Sequence, residues 1–478
     1  MHGPTGKSFF TKSITDLVES ICSSDASYQS LFKQAEHYFK NAEKEKVELT
    51  SLKRELTELK ASTTSLETSE NVEKLKALEH SFKALIHERN KARLARLSSV
   101  NQVCQNLLQL SEGDNWDKTQ INSARVLGTL QLMSPCEGKS LRKLHQRFKP
   151  LYKAVVACRL LDKLLFDGDF NNEYVVNKFE PEQRYSGIEG EMTPFQQEIV
   201  APVVLAAIFQ DVGLLHPDAQ KILKGEDGSL DEFRVLNVEE RKALLKINYE
   251  RTLDYITLGL GKDQYIGNSK DEKSQFEKEQ QQRLAFTRTL LIKALNPEGG
   301  IGNLIKIPQI YTSIVFSSKP NFDYMDLSKA ATVVLNAAEK GAVSKMVANK
   351  LLDIVGHFPQ GFGITYIPAD TKQVDSYEYA IVTGLNPSDP HEPLCRIATK
   401  KLTFIATGSV FTVGKQSNLY FKVAKKRLET IKPERLNEIL QKLVSNFEER
   451  KTLDLIPSYW NPHEFFSYTR LQNLWKKS

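Results

Sequence analysis

Residues 28–59 carry an apolar stripe that a β-strand cannot use. Tyr28, Phe32, Ala35, Phe39 and Ala42 recur at alternating spacings of four and three, and Leu49, Leu52, Leu56 and Leu59 continue the series among charged and polar neighbours. That spacing puts the apolar side chains on one face of an α-helix. The stretch ASTTSLETSE (61–70) interrupts it with Ser and Thr, which compete for backbone hydrogen bonds and favour turns and caps. A second stripe then runs through Val72, Leu75, Leu78, Phe82, Leu85 and Ile86. Two amphipathic helices with a short polar link predict a long antiparallel hairpin. Such a hairpin serves as an arm for docking or self-association, or it packs on its own domain. With further helices expected at 98–111, 117–132 and 138–166, residues 1–165 read as a helical N-terminal region.

The pattern stays helical and turns more apolar from about 190 to 356, with helices expected at 194–211, 238–259, 275–295, 301–316, 327–339 and 342–356. The run IVAPVVLAAIF (199–209) is the longest apolar one. A bilayer needs about 20 such residues, so this is read as a buried core helix, not a membrane span. KGEDGSLDEF and GKDQYIGNSKDEKS read as surface loops. After Pro359 the composition changes. FGITYIP, YEYAIVTGL, CRIATKKLTFIAT and SVFTVG carry β-branched and aromatic residues between turn formers, which predicts a small antiparallel sheet over 359–478. A charged helix at about 425–450 and the tail SYWNPHEFFSYTRLQNLW follow, the tail either anchoring a partner or packing back on the sheet.

The chain has 65 basic and 59 acidic residues, a net charge of +6, which gives little reason to expect nucleic-acid binding. Five scattered cysteines without CxxC spacing fit reduced thiols in the cytoplasm better than a disulfide framework. GPTGKS (3–8) ends like a phosphate-binding loop but lacks the preceding strand and the first glycine. NPEGGIGN (296–303) reads as a loop between helices. No HExxH, GxSxG or paired CxxC motif occurs.

One ordered set of segments carries a family resemblance. AAIFQDVGLLHP, VLNVEERKALLKINYERTLDYI, IGNLIKIPQIYTSI and VGHFPQGFGITYIP…EYAIVTGLNPSDPHEPLCRI follow one another over roughly 190–405. Together they resemble an HD-GYP domain, the bacterial branch of the HD phosphohydrolases that cleaves cyclic di-GMP. The resemblance implies an all-α core in which several imidazoles and a bridging carboxylate hold two or three metal ions, which would lower the pKa of a bound water. Carried over position by position, Gln210 stands where the first His of the His-Asp doublet would be, with Asp211 retained. Asn248 stands in place of the next metal-binding His, and Gln309 in place of a later Asp. The adjacent His pair and the Gly-Tyr-Pro signature should fall between about 265 and 300, where there is no His. Between 200 and 315 the one histidine is His216, beside Pro217, which reads as a surface or capping residue.

A carboxamide carries no net charge and is a poor metal ligand. The expectation is therefore a degenerate, catalytically inactive HD-GYP-like protein, in which Gln210, Asn248 and Gln309 gather in a metal-free cavity as mutually satisfied amides. The fold class is mostly α: a helical hairpin region over 1–165, an HD-type helical domain over 190–358, and a small α+β extension over 359–478. No cofactor and no metal are expected. The chain would act in cytoplasmic signalling or scaffolding through a protein partner or self-association by the helical arm. Cyclic di-GMP is a weaker candidate ligand, since few basic residues flank the remnant positions. The alternative is an active phosphodiesterase with atypical metal ligands.

Overall fold

The computed structural model describes residues 4–63, 69–138, 140–185, 190–369, 375–444 and 455–475. The chain is mostly helical, with a small antiparallel sheet near its C-terminus. It divides into two compact units. The first comprises Met1–Val18, Gln105–Ile208 and Thr289–Ser478, the second Glu19–Cys104 and Phe209–Arg288. Among the described residues no helix is long and apolar enough to cross a membrane.

The apolar stripes become long helices. Helix α1 spans Phe9–Ile21, α2 Leu31–Thr63 and α3 Ser69–Ser111. Residues 64–68, the middle of the Ser/Thr-rich break, lie outside the described residues. Two ion pairs fix the direction of α2 and α3 in the second unit: Glu45 to Arg89 at 3.2 Å and Lys60 to Glu79 at 2.7 Å. Numbers rise along one helix as they fall along the other, so the pair is an antiparallel hairpin. The separate helix expected at 98–111 is instead the last part of α3. No Gly or Pro stands between 69 and 111 to stop it.

In chain order there follow α4 (Trp116–Leu132), α5 (Leu141–Phe166), the single turn α6 (Glu173–Val176), α7 (Ala201–Phe209), α8 (Pro217–Lys224), α9 (Val238–Asp254) and α10 (Lys270–Ile292). Then come α11 (Asn303–Val315), α12 (Ala330–Glu339) and α13 (Lys345–Val355). The helix expected at 194–211 is part π-helix: Gln196–Val200 form a wide turn just before α7. Pro202 has no N–H to return to the preceding turn, so the regular ladder is broken there. Helix α9 starts on a capping box. The Asn237 side chain accepts the Glu240 N–H at 2.9 Å, and the Glu240 carboxylate accepts the Asn237 N–H at 3.0 Å.

The core of the first unit is α5, packed by α4, α11 and α13. From Leu151 to Asp162 every residue of α5 is buried. Each Leu or Val so enclosed contributes roughly 1.5–3 kcal/mol. The same unit contains the sheet, whose strands are β1 (Gly363–Tyr366), β2 (Glu378–Val382), β3 (Leu394–Ile397), β6 (Val410–Thr412) and β7 (Tyr459–Trp460), in the order β6-β3-β2-β1-β7, all antiparallel. A separate two-stranded ribbon pairs β4 (Thr399–Lys400) with β5 (Thr403–Phe404). Alternation along β2 serves both faces of the sheet. Tyr379 and Ile381 enter one apolar cluster with Leu132, while Ala380 and Val382 enter another with Phe358 and Phe362. The charged helix expected at about 425–450 is two shorter ones, α14 (Lys422–Leu428) and α15 (Pro433–Leu443), separated at Pro433; residues 445–450 lie outside the described residues.

The aromatic tail packs back on the sheet. Strand β7 pairs with β1, Trp460 stacks on Tyr379 with ring centres 4.5 Å apart, and its Nε1 donates to the Ala380 carbonyl at 2.8 Å. A side chain on Gly363 would lie 2.1 Å from the Trp460 carbonyl oxygen, so this pairing requires a glycine. The described part of GPTGKS lies against the same tail. The Gly6 N–H donates to the Ser467 carbonyl at 3.0 Å, and Gln472 accepts the Ser8 N–H at 2.7 Å while donating to the Gly6 carbonyl at 2.7 Å. Its backbone is committed to the tail, which is no geometry for a phosphate cradle.

A short helix, α16 (His463–Ser467), follows β7 in the tail, and a 3-10 turn at Thr469–Leu471 follows it.

Candidate functional site

The stretch AAIFQDVG turns in the second unit at the end of α7. Gln210 and Asp211 follow Phe209, Val212–Leu215 form a 3-10 turn, and α8 begins at Pro217. His216 is the N-cap of α8: its Nδ1 accepts the Asp218 N–H at 3.2 Å. That bond leaves the proton of the neutral ring on Nε2. Burial and then the nearby Arg251 lower the His216 pKa from its usual value. Phe39 meets the ring edge-on, 5.5 Å between centres.

Three hydrogen bonds run from this turn through α9 and back. The Gly213 N–H donates to Thr252 Oγ1 at 3.1 Å, the Thr252 hydroxyl donates to Asn248 Oδ1 at 3.4 Å, and Asn248 Nδ2 donates to the Gln210 carbonyl at 3.4 Å. The turn and helix touch so closely that a Cβ on Gly213 would lie 2.3 Å from the Asn248 carbonyl oxygen. Every group in this relay is neutral. Gln210 is buried and Asp211 half-buried. Further along, α9 widens into a π-turn, Tyr255–Leu260. Carbonyls at its C-terminus and just beyond are held by α3: Arg93 donates to Leu260 at 2.7 Å and to Lys262, and Arg96 to Gly259 at 3.0 Å. Arg96 also lies over the Tyr38 ring, 5.1 Å from its centre.

Of the sequence-identified positions, the second unit thus brings Gln210, Asp211 and Asn248 to one junction. Gln309 belongs to the first unit, on α11, where its Oε1 accepts from Lys306 Nζ at 3.0 Å. Among the described residues no group of three or more His, Cys, Asp or Glu side chains is placed to hold a metal ion. One carboxylate with neutral amides does not fit a two- or three-metal hydrolytic centre, whose ions need anionic or imidazole ligands.

A dense cluster of charge lies elsewhere, in the first unit, at residues that no motif marks. Glu112 receives Arg184 on both oxygens, at 2.6 and 3.0 Å, together with Arg159 and Gln196. Asp162 receives Arg184 Nε at 2.8 Å and the Tyr185 hydroxyl at 2.7 Å. Glu112, Arg159, Asp162 and Arg184 are all at most 7% exposed. Burial pushes the Glu112 carboxyl up, but the Arg184 and Arg159 guanidiniums outweigh it and bring the pKa down to about 2. Two carboxylates and two guanidiniums cancel. The cluster reads as a structural knot with its net charge balanced internally. Its signal in the sequence is Arg159 and Asp162, one helical turn apart in AVVACRLLDKLLF, where Lys163 is the one other charged residue.

A second buried polar centre in the first unit sits at His145. Its Nε2 lies 2.7 Å from Ser134 Oγ, and its Nδ1 2.7 Å from the Ser317 carbonyl, to which it donates. Phe316 and Phe322 stand edge-on to the ring. Burial lowers its pKa to about 4. Serine, imidazole and an orienting acceptor are in hydrogen-bond reach, as in nucleophilic catalysis. However, Ser134 and His145 are 3% and 1% exposed, which leaves no approach for a substrate. No protein-family model, no curated protein and no solved structure matches the chain.

Proposed function

We propose that this chain is a catalytically inactive HD-GYP-like signalling or scaffold protein that works in the cytoplasm by binding another protein. The observation that carries the reading is the neutral relay Gly213–Thr252–Asn248–Gln210. Where the resemblance would place imidazoles around a metal, amides and a hydroxyl staple a turn to a helix. Such bonds hold the fold together and supply neither a Lewis acid nor an activated water.

Binding falls to the α2–α3 hairpin, which carries Val47 and Ile86 at 61% and 45% exposure. A protein partner or a second copy meets it there. The test uses the purified full-length chain. The expected result is no stoichiometric iron or manganese, no turnover of cyclic di-GMP, and a retained partner or self-association that Val47→Glu with Ile86→Glu abolishes without changing the melting temperature. Stoichiometric metal together with cyclic di-GMP turnover that Asp211→Ala removes would overturn the reading in favour of a phosphodiesterase with atypical ligands.

A further inference from the structure

Two segments that the family resemblance left without a role, VGHFPQG and NPSDPHEP, each carry one histidine, and the first unit places the two side by side. Helix α13 ends at Gly356 (φ 65°), whose turn presents His357. Two main-chain bonds tie the second segment to this end of the helix. Asn386 N–H donates to the Ile354 carbonyl at 2.8 Å, and His357 N–H to the Pro390 carbonyl at 2.8 Å. The imidazoles of His357 and His391 then lie 4.2 Å apart between ring centres, tilted by 34°.

The surroundings orient one ring. Asp389 Oδ1 accepts the His391 main-chain N–H at 2.8 Å and stands 3.0 Å from His391 Nδ1. A carboxylate at that distance keeps the ring proton on Nδ1 and leaves a lone pair on Nε2, the arrangement that commonly stands behind a metal-bound imidazole. Asp389 Oδ2 accepts from Lys415 Nζ at 2.9 Å, and Glu392 Oε1 accepts the Lys415 main-chain N–H at 3.2 Å. Two carboxylates against one ammonium leave the cluster net negative with the rings neutral, and the His391 side chain is 44% exposed. Among the described residues no hydrogen bond engages His391 Nε2 or a ring nitrogen of His357.

We propose that His357 and His391 form a two-imidazole site for a divalent late transition-metal ion of tetragonal preference, Cu(II) or Ni(II), with water in the remaining positions and Asp389 as a positioning residue. The ring separation argues for it. With metal–nitrogen bonds of about 2.0 Å and each ring centre about 1.1 Å behind its nitrogen, two cis ligands at right angles place their ring centres about 4.4 Å apart, against about 5.1 Å for tetrahedral ligands. The observed 4.2 Å lies nearer the first.

The experiment is a Cu(II) titration of the full-length chain, read by calorimetry and by electron paramagnetic resonance. It is done in a His2→Ala background, which removes a competing histidine outside the described residues. One equivalent should bind with two equatorial imidazole nitrogens in the spectrum. His357→Phe and His391→Phe, which keep a ring in each place, should each weaken binding about 100-fold, and Asp389→Asn about 10-fold, with thermal unfolding unchanged. Affinity untouched by both Phe variants, or a spectrum with a single imidazole, would overturn the proposal; so would copper binding that follows another histidine.

Discussion

The knot at Glu112 and the junction at Gln210 do the same mechanical work with opposite chemistry. In each, side chains tie a turn or loop to a helix inside one unit. The first uses four full charges, all buried; the second uses an amide, a hydroxyl and main-chain groups. A buried charge is tolerated only beside its partners, so each member of the first set is indispensable to the others. Neutral groups make no such demand, and each can be lost for about the worth of one hydrogen bond. Functional chemistry in a polar cluster therefore has to be read from what it leaves uncommitted, since charge density alone marks the knot.

Three measurements test that contrast. Arg184→Met leaves Glu112 and Asp162 short of a countercharge in the core of the first unit. Removing one partner from a buried ionic set costs about 3–5 kcal/mol, which denaturant unfolding should show as a large fall in midpoint. A fall below about 1 kcal/mol would mean that the network is not held as described. The second is an effect of pH. His145 is neutral in the folded chain down to about pH 4, whereas the unfolded chain takes up its proton near 6.5. The stability it contributes is thus present above about pH 6.5 and lost as pH falls toward 4, by up to about 3 kcal/mol. Comparing urea midpoints at pH 7 and pH 4.5 should show this loss, with a smaller one in His145→Gln. Smallest is Asn248→Ala in the second unit, at about 1 kcal/mol, and equal at pH 7 and pH 4.5 because nothing in the relay titrates. A cost like that of Arg184→Met would erase the distinction.

What the sequence disclosed depended on the range of the interaction. The amphipathic stripes at 28–59 and 72–86 announce α2 and α3 because helix spacing is a local property. The change of composition after Pro359 announces the sheet for the same reason. His216 beside Pro217 reads as a cap, and it caps α8. The end of the second hairpin helix was missed because nothing local marks it: α3 simply continues to Ser111. The Glu112 knot joins residues up to 84 positions apart, and its members come from elements with no shared motif. Gln210 and Asn248 were named through the resemblance, yet what binds them is a carbonyl and Thr252, which no motif would single out. The His357–His391 pair stands in VGHFPQG and NPSDPHEP, but its closeness depends on a loop that main-chain bonds fold back onto α13.

The bonds between Gln472 and residues 6 and 8 have a consequence in time. They join groups up to 466 positions apart, so residues 6 and 8 gain this partner only once Gln472 has been made. The second unit has no such wait, since its last residue is Arg288. On the ribosome it can be complete while the first unit is still an open frame. The segment at Pro4–Ser8 then acts as a clasp, and a chain stalled before Gln472 would hold a complete second unit and a first unit still unfastened.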